Sequence, residues 1–209
     1  MPDPRERPAF ADDLEEMLAH AWRQLARGVK DRRSAFHTPS VGTIGLDGRP
    51  RLRTVVLRGV EPAMARLRFH TDARAEKVAE IAADPRIALH AYDAQGKFQV
   101  RIEGRAVVHA DDARAEEAWR AARPTSRSVY GTQPAPGDPL DRPDAFRAPA
   151  DAVEIDAGRE NFRVVEVVAE RLETLWLAHD GHRRARFGLE RTNEAGRAAV
   201  ARERTWLVP

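Results

Sequence analysis

The stretch "SVGTIGLDGRPRLRTVVLRGV", Ser40 to Val60, constrains the fold most. Two apolar, β-branched runs flank Asp47-Gly48, a pair that supplies the positive φ a tight hairpin needs. The runs on either side must therefore lie antiparallel, and the second of them is read through Val55-Val56-Leu57 as the buried middle of one strand. "ARLRFHTD" adds a third strand, and "RIALHAYD" and "KFQVRIEGRAVVHA" form a second hairpin around "AQG". "FRVVEVVAERLETLWLAHDGHRRARFGLE" alternates as strands do, and "AVARERTWLVP" reads as a closing strand.

Helices are inserted singly. Leu14, Met17, Leu18, Ala21, Trp22 and Leu25 fall at helical spacing, with Asp12 or Asp13 as N-cap and Gly28 as the stop. "ARAEKVAEIAADP" is a short helix ended at Asp84-Pro85, because a residue before proline is driven out of the helical region. Asp111 and Asp112 open another that runs past Trp119. A proline-rich stretch, 132–159, reads as an extended surface loop. About seven strands joined by hairpins, without βαβ repeats, indicate an α+β chain built on an antiparallel six- to seven-stranded barrel with peripheral helices. The 209 residues suit a single domain, with 1–30 as its N-terminal helical segment.

Composition removes whole classes of chemistry. There is no cysteine, hence no disulfide, thiolate metal site or cysteine nucleophile. No apolar run is long enough for a membrane helix, and "MPDPRERPAFADDLEE" lacks a signal-peptide core, so a soluble cytoplasmic protein is expected. The net charge is only +2, which does not indicate nucleic-acid binding. The histidines are scattered, and His179-x-x-His182 alone makes a poor metal site, so no metal is expected. No phosphate loop, dinucleotide fingerprint or nucleophile elbow is present. Any redox chemistry needs a cofactor.

Of the 35 basic residues only Lys30, Lys77 and Lys97 are lysine, so a lone arginine carries little information here. Clusters carry more. Arg51, Arg53 and Arg58 bracket the Val55–Leu57 run; snorkelling at strand ends is the plainer reading of each. In "FHTDARAEK" a strand gives way to a helix near Asp72, which places Arg74 and Lys77 on the face of its first turn. Cations there oppose the helix dipole unless a phosphate sits among them. In "HRRARF" an extended chain puts His182, Arg184 and Arg186 on one face, where only an anion between them relieves their repulsion. The three clusters together suggest a pocket for a phosphorylated small molecule.

The sequence resembles a known family. The order "RTVVLRG", "LRFHTDARAEKVAEIAADPRIAL" and "KFQVRIEGRA", with "W-L-V-P" at the end, is similar to the pyridoxamine 5′-phosphate oxidase-like FMN-binding split barrels, in particular the Alr4036-type branch. The resemblance implies that Arg53, Thr54, Val55, Val56, Leu57 and Arg58 run along FMN, with Arg53 at its phosphate end and Arg58 toward substrate or partner. It implies cofactor contacts from His70, Thr71, Lys77 and Gln99, and from Trp176 and Arg186 near the C-terminus. Glu76 stands where an arginine is usual, and Arg74 is the candidate replacement. For a small anionic substrate the resemblance points to Arg123, Arg127, His182 and Arg184. Here the chain departs from the oxidases: Trp119 replaces a tyrosine, Arg127 falls near an expected serine, Arg58 replaces a lysine, and His182 and Arg184 stand in reversed order. A homodimer with FMN at its interface and an FMN-dependent oxidoreductase activity follow from the resemblance; an FMN carrier or sensor without turnover is the alternative. No catalytic residue is singled out.

Overall fold

The structure, a computed structural model, describes residues 7–191 and 199–209. The first six residues of the 1–30 segment, which belong to the stretch read for a signal peptide, lie outside the described residues. Helix α1, Leu14–Lys30, starts where Asp13 accepts the amides of Glu15 at 2.7 Å and Glu16 at 2.9 Å. It buries Met17, Ala21, Trp22 and Leu25. Gly28 does not stop this helix. A side chain there would strike the backbone of Phe36, so the glycine permits a close approach, and His37 Nδ1 hydrogen-bonds the Gly28 carbonyl oxygen at 2.7 Å.

Strands β1, Ser40–Ile44, and β2, Pro50–Thr54, form the expected hairpin, with Gly48 at φ +78° in its turn. The next expectation is overturned. Val55 and Val56 belong to no strand, and β3, Leu57–Glu61, begins after them. The physical reason lies in the sheet. It continues through β4, Arg66–Asp72, β5, Arg86–Asp93, β6, Phe98–His109, and β7, Phe162–Trp176, in the order β2-β1-β5-β6-β7-β4-β3. Strands β2 and β3 are thus the two ends of that order, yet only two residues join them. Two residues span less than ~10 Å between strand ends, so the sheet must curl until its ends meet. Val55–Val56 is the seam of a barrel.

The barrel opens along β7. One edge of this strand pairs with β6 over nearly its whole length. The other edge pairs with β4 from Phe162 to Val168 and with β8, Arg183–Arg191, from Arg171 to Trp176. A bulge at Glu103/Gly104 lies at this fork, where a Cβ on Gly104 would collide with the Val168 carbonyl. Strand β9, Ala199–Leu207, pairs with β8 and gives the described residues nine antiparallel strands where seven were expected. The two additional strands arise from the break at Val55–Val56 and from the division of the C-terminal third. His182 precedes β8, so it does not share the strand face of Arg184 and Arg186.

Phe36, Leu57, Phe69, Phe98, Leu172 and Phe187 fill the barrel interior. A smaller cluster of Trp119, Tyr130, Phe162 and Val164 packs helix α3, Ala113–Ala121, against the start of β7. Helix α2, Glu76–Ala83, follows β4. The proline-rich stretch is not extended throughout: after the short helix α4, Pro124–Arg127, it holds the helix α5, Ala152–Ala157, capped by Asp151. Among the described residues no helix is long and apolar enough to cross a membrane.

Candidate functional site

Two adjoining clefts open beside the barrel seam. The smaller, about 240 Å³, has Thr54, Val55 and Val56 on one wall and Thr71, Lys77 and Arg58 on the others. The larger, about 410 Å³, lies between the end of α1 and the α3–α4 segment. Arg58, His70 and Tyr130 line both, so the clefts are continuous.

The seam explains why this backbone can meet a ligand. Val55 donates its amide to the Pro39 carbonyl at 3.0 Å, while the peptide groups of Val56 take part in no backbone hydrogen bond among the described residues. Such groups seek partners. Lys77 stands in the first turn of α2, whose N-terminus has no side-chain cap. Its ammonium donates to the Thr71 hydroxyl at 3.1 Å and makes no ion pair among the described residues. Burial, and then the charge of Arg53, push the Lys77 pKa below its ordinary value. An anion in the cleft would relieve both effects.

His70 packs its ring edge against Phe162, with centroids 4.8 Å apart. Burial, assisted by the cations Arg58 and Arg68, lowers its pKa from 6.5 to about 4. The imidazole is therefore neutral at pH 7. Tyr130 is moved the other way, up to about 12, chiefly by burial, and its phenol stays protonated. The His70 shift predicts a pH dependence of stability. The unfolded chain takes up a proton near pH 6.5 that the folded chain refuses until near 4, so stability falls as pH drops through that window. Thermal melts at a series of pH values should show a shallower decline for His70→Gln than for the wild type; parallel curves would contradict it.

The remaining expected residues are distributed as follows. Leu57 is fully buried in the barrel core, so its side chain faces away from any ligand. Arg53 is turned to Glu80, 2.7 Å away, and to the Thr43 hydroxyl. Arg74 is not on α2 at all, because β4 runs to Asp72 and the helix starts only at Glu76. Its guanidinium grips Asp72 at 2.7 and 2.9 Å and donates to the Tyr130 carbonyl at 3.2 Å, so it is spent within the chain. Of the phosphate-side cations read from the sequence, Lys77 faces the cleft, and so does Arg58, which was expected toward substrate or partner.

Gln99, Trp176, Arg184 and Arg186 line neither cleft. They gather where β6, β7 and β8 run side by side: Gln99 meets His90 at 3.2 Å, and Trp176 packs edge-on to Phe10. Arg184 and Arg186 share a strand face, as expected, and both donate to Glu173 at 3.0 and 3.1 Å. The anion between these cations is the chain's own. Burial opposes ionisation of Glu173, but the two arginine hydrogen bonds outweigh it and hold its pKa low.

On the substrate side only Arg123 reaches the larger cleft, from the N-cap of α4. Arg127 lies over the Trp119 ring at 5.2 Å and donates to the Arg120 carbonyl at 2.8 Å; His182 is exposed elsewhere. Lys30, Arg32, His37, Arg68 and Ser126 line this cleft without having been singled out by sequence. No local pattern marks them, since α1 and β4 come together only in the fold. Tyr130 stands just before the proline-rich stretch, but nothing local shows that its ring closes the wall. Among the described residues no group of His, Asp and Glu is arranged to hold a metal ion.

Comparison with known proteins places this geometry. Residues 19–110 match the pyridoxamine 5′-phosphate oxidase FMN-binding domain. The chain is 36% identical over 128 residues to pyridoxine/pyridoxamine 5′-phosphate oxidase 2 of Arabidopsis thaliana, covering 56% of this chain and 64% of that one. It is 39% identical over 89 residues to the corresponding oxidase of Chromobacterium violaceum, covering 42% of this chain and 40% of that one. The match thus spans less than two thirds of the length of these relatives. In fold it is similar to a pyridoxamine 5′-phosphate oxidase-related, FMN-binding protein of Nostoc punctiforme, at a TM-score of 0.67 and 19% identity over 98% of this chain and 100% of that one. It is also similar to PhzG of Burkholderia lata, solved with tetrahydrophenazine-1-carboxylic acid, at 0.68 and 18% identity over 99% of this chain and 98% of that one. The fold is the split barrel of these two neighbours. Over residues 19–110 the chain matches the FMN-binding domain of the pyridoxamine 5′-phosphate oxidase family, a domain whose cofactor is FMN.

Proposed function

We propose that the protein is an FMN-dependent oxidoreductase that acts on a small anionic substrate. The observation that carries this reading is the junction of the two clefts at Arg58, His70 and Tyr130, which joins a groove holding Lys77, Thr54 and Thr71 to a cationic mouth. The smaller cleft suits FMN by its donor set. Lys77 and the hydroxyls of Thr54 and Thr71 fit a phosphate, and Val55 and Val56 offer an apolar wall with unpaired peptide groups beside it. When bound, FMN would supply hydride acceptance at its ring and transfer of the electrons onward. The chain itself would hold the phosphate through Lys77, orient the substrate anion through Arg58 and Arg123, and present His70 uncharged as a hydrogen-bonding group. Tyr130 and Phe162 would keep water from one side of the junction.

Gln99, Trp176 and Arg186 fit this reading as the second half of a site shared between two copies of the chain, since they lie apart from the Lys77 cleft. A cytoplasmic homodimer is part of the proposal. Purified protein should be yellow with FMN, its bleached flavin should reoxidise in air, and a panel of phosphorylated amines, alcohols and carboxylates should contain a compound that bleaches it again. A colourless protein that cannot be reconstituted would refute the reading. A flavin that reoxidises but that no anion in the panel reduces would favour an FMN carrier or sensor.

A further inference from the structure

Arginines in this protein are generally paired. Those on the barrel and in the helices repeatedly meet a carboxylate, as Arg53 does Glu80, Arg66 does Glu166 and Arg159 does Glu116. The larger cleft breaks this pattern. Lys30, Arg32, Arg58, Arg68 and Arg123 all line it, and none makes an ion pair among the described residues; Glu117 is the single carboxylate in the lining. The Nε of Arg68 is buried without a hydrogen-bond partner. Solvated cations on a convex surface would need no explanation, because water and salt screen them. Here Lys30, Arg32, Arg58 and Arg123 are exposed but line one concave cleft, where like fields add and favour an anion.

The cations come from three directions: Lys30 and Arg32 from the end of α1, Arg58 and Arg68 from β3 and β4, and Arg123 from the start of α4. The rest of the lining mixes His37, His70, Glu117 and Ser126 with an apolar and aromatic side made by Ala118, Ala121, Tyr130 and Phe162. One phosphate at Arg58 and Arg123 would leave the α1 pair unanswered. We infer that the larger cleft takes a flat, apolar-bodied molecule carrying two separate acidic groups, one held by Arg58 and Arg123 and the other by Lys30 and Arg32. This inference rests on the reading of the smaller cleft as the FMN site, which makes the larger cleft the substrate mouth.

The test is calorimetry on the FMN-loaded protein with paired probes: phenyl phosphate against para-carboxyphenyl phosphate, and benzoate against terephthalate. In each pair the probe with two acidic groups should bind roughly tenfold tighter or better, as a second charge-assisted contact allows. The Lys30→Gln/Arg32→Gln double variant should lose most of that advantage while its affinity for phenyl phosphate stays within about twofold, because only the second group is addressed. Both substituted side chains are exposed, so the fold should persist. Equal affinities within the pairs, no binding of any probe, or a double variant that weakens both members alike would overturn the inference. Flavin absorbance of the same sample separates the two readings. Protein that retains no FMN fails the cofactor reading, whereas flavin-loaded protein that ignores the second acid fails only this one.

Discussion

Lys77→Ala is expected to weaken FMN binding by about tenfold to a hundredfold, the range for loss of a charge-assisted hydrogen bond to an anion, while leaving the FMN-free protein at least as stable as before. The second half of this expectation follows from the lysine's surroundings. Its ammonium has the Thr71 hydroxyl as partner, and its pKa is lowered first by burial and then by the charge of Arg53. Removing it from the empty protein relieves a repulsion. Flavin fluorescence quenching gives the affinity and a thermal melt of the FMN-free protein gives the stability. Retention equal to wild type would mean that the phosphate lies elsewhere.

Arg186→Ala should weaken FMN binding too, although Arg186 does not line this cleft and is engaged by Glu173. The two substitutions would act on opposite halves of one shared site. Each variant alone then damages every site of its homodimer. A mixture refolded together contains dimers in which one site takes both intact halves, so tight FMN sites should reappear on mixing. No recovery on mixing would indicate that Lys77 and Arg186 do not serve one composite site.

What could be read from the sequence follows the range of the interactions that decide it. The Asp47-Gly48 hairpin, the start of α1 at Asp13 and the stop at Asp84-Pro85 depend on residues within a few positions of one another, and each stands where the local chemistry puts it. The seam at Val55–Val56 does not. Two β-branched residues in an apolar run have every local reason to continue a strand, and only closure of the barrel breaks them out of it. The same limit applies to charge. Spacing placed Arg184 and Arg186 on one face, but Glu173 lies on a neighbouring strand and nothing local announces that it answers them. Arg74 was placed by assuming that α2 begins at Asp72; the extension of β4 through that residue turned Asp72 into its partner instead. Conversely, nothing in the local sequence marks Lys30 and Arg32, and only the fold brings them to the mouth that Arg123 shares.

Glu80→Ala should be the most destabilising single change near the site, at about 3–5 kcal/mol, because it leaves a charge in a poorly hydrated place without its counterion. The carboxylate is 3% exposed. It accepts from Arg53 at 2.7 Å and from the Thr43 hydroxyl at 2.6 Å, tying α2 to β1 and β2 at once. For a chain of this size such a loss lowers the melting temperature by roughly 10 °C or more. Glu80→Gln keeps an acceptor for Thr43 but not the charge, and should fall between. The decisive comparison is Arg53→Met/Glu80→Met. Replacing both members removes the desolvation cost together with the attraction, so the double variant should recover much of what Glu80→Ala loses. It should also keep FMN, because α2 still presents Lys77, which is then subject to burial but no longer to the charge of Arg53. A double variant that is stable but releases FMN would make Arg53 itself a ligand of the cofactor. A melting temperature unmoved by Glu80→Ala would mean that burial of Ile81 alone is what anchors α2 to the barrel.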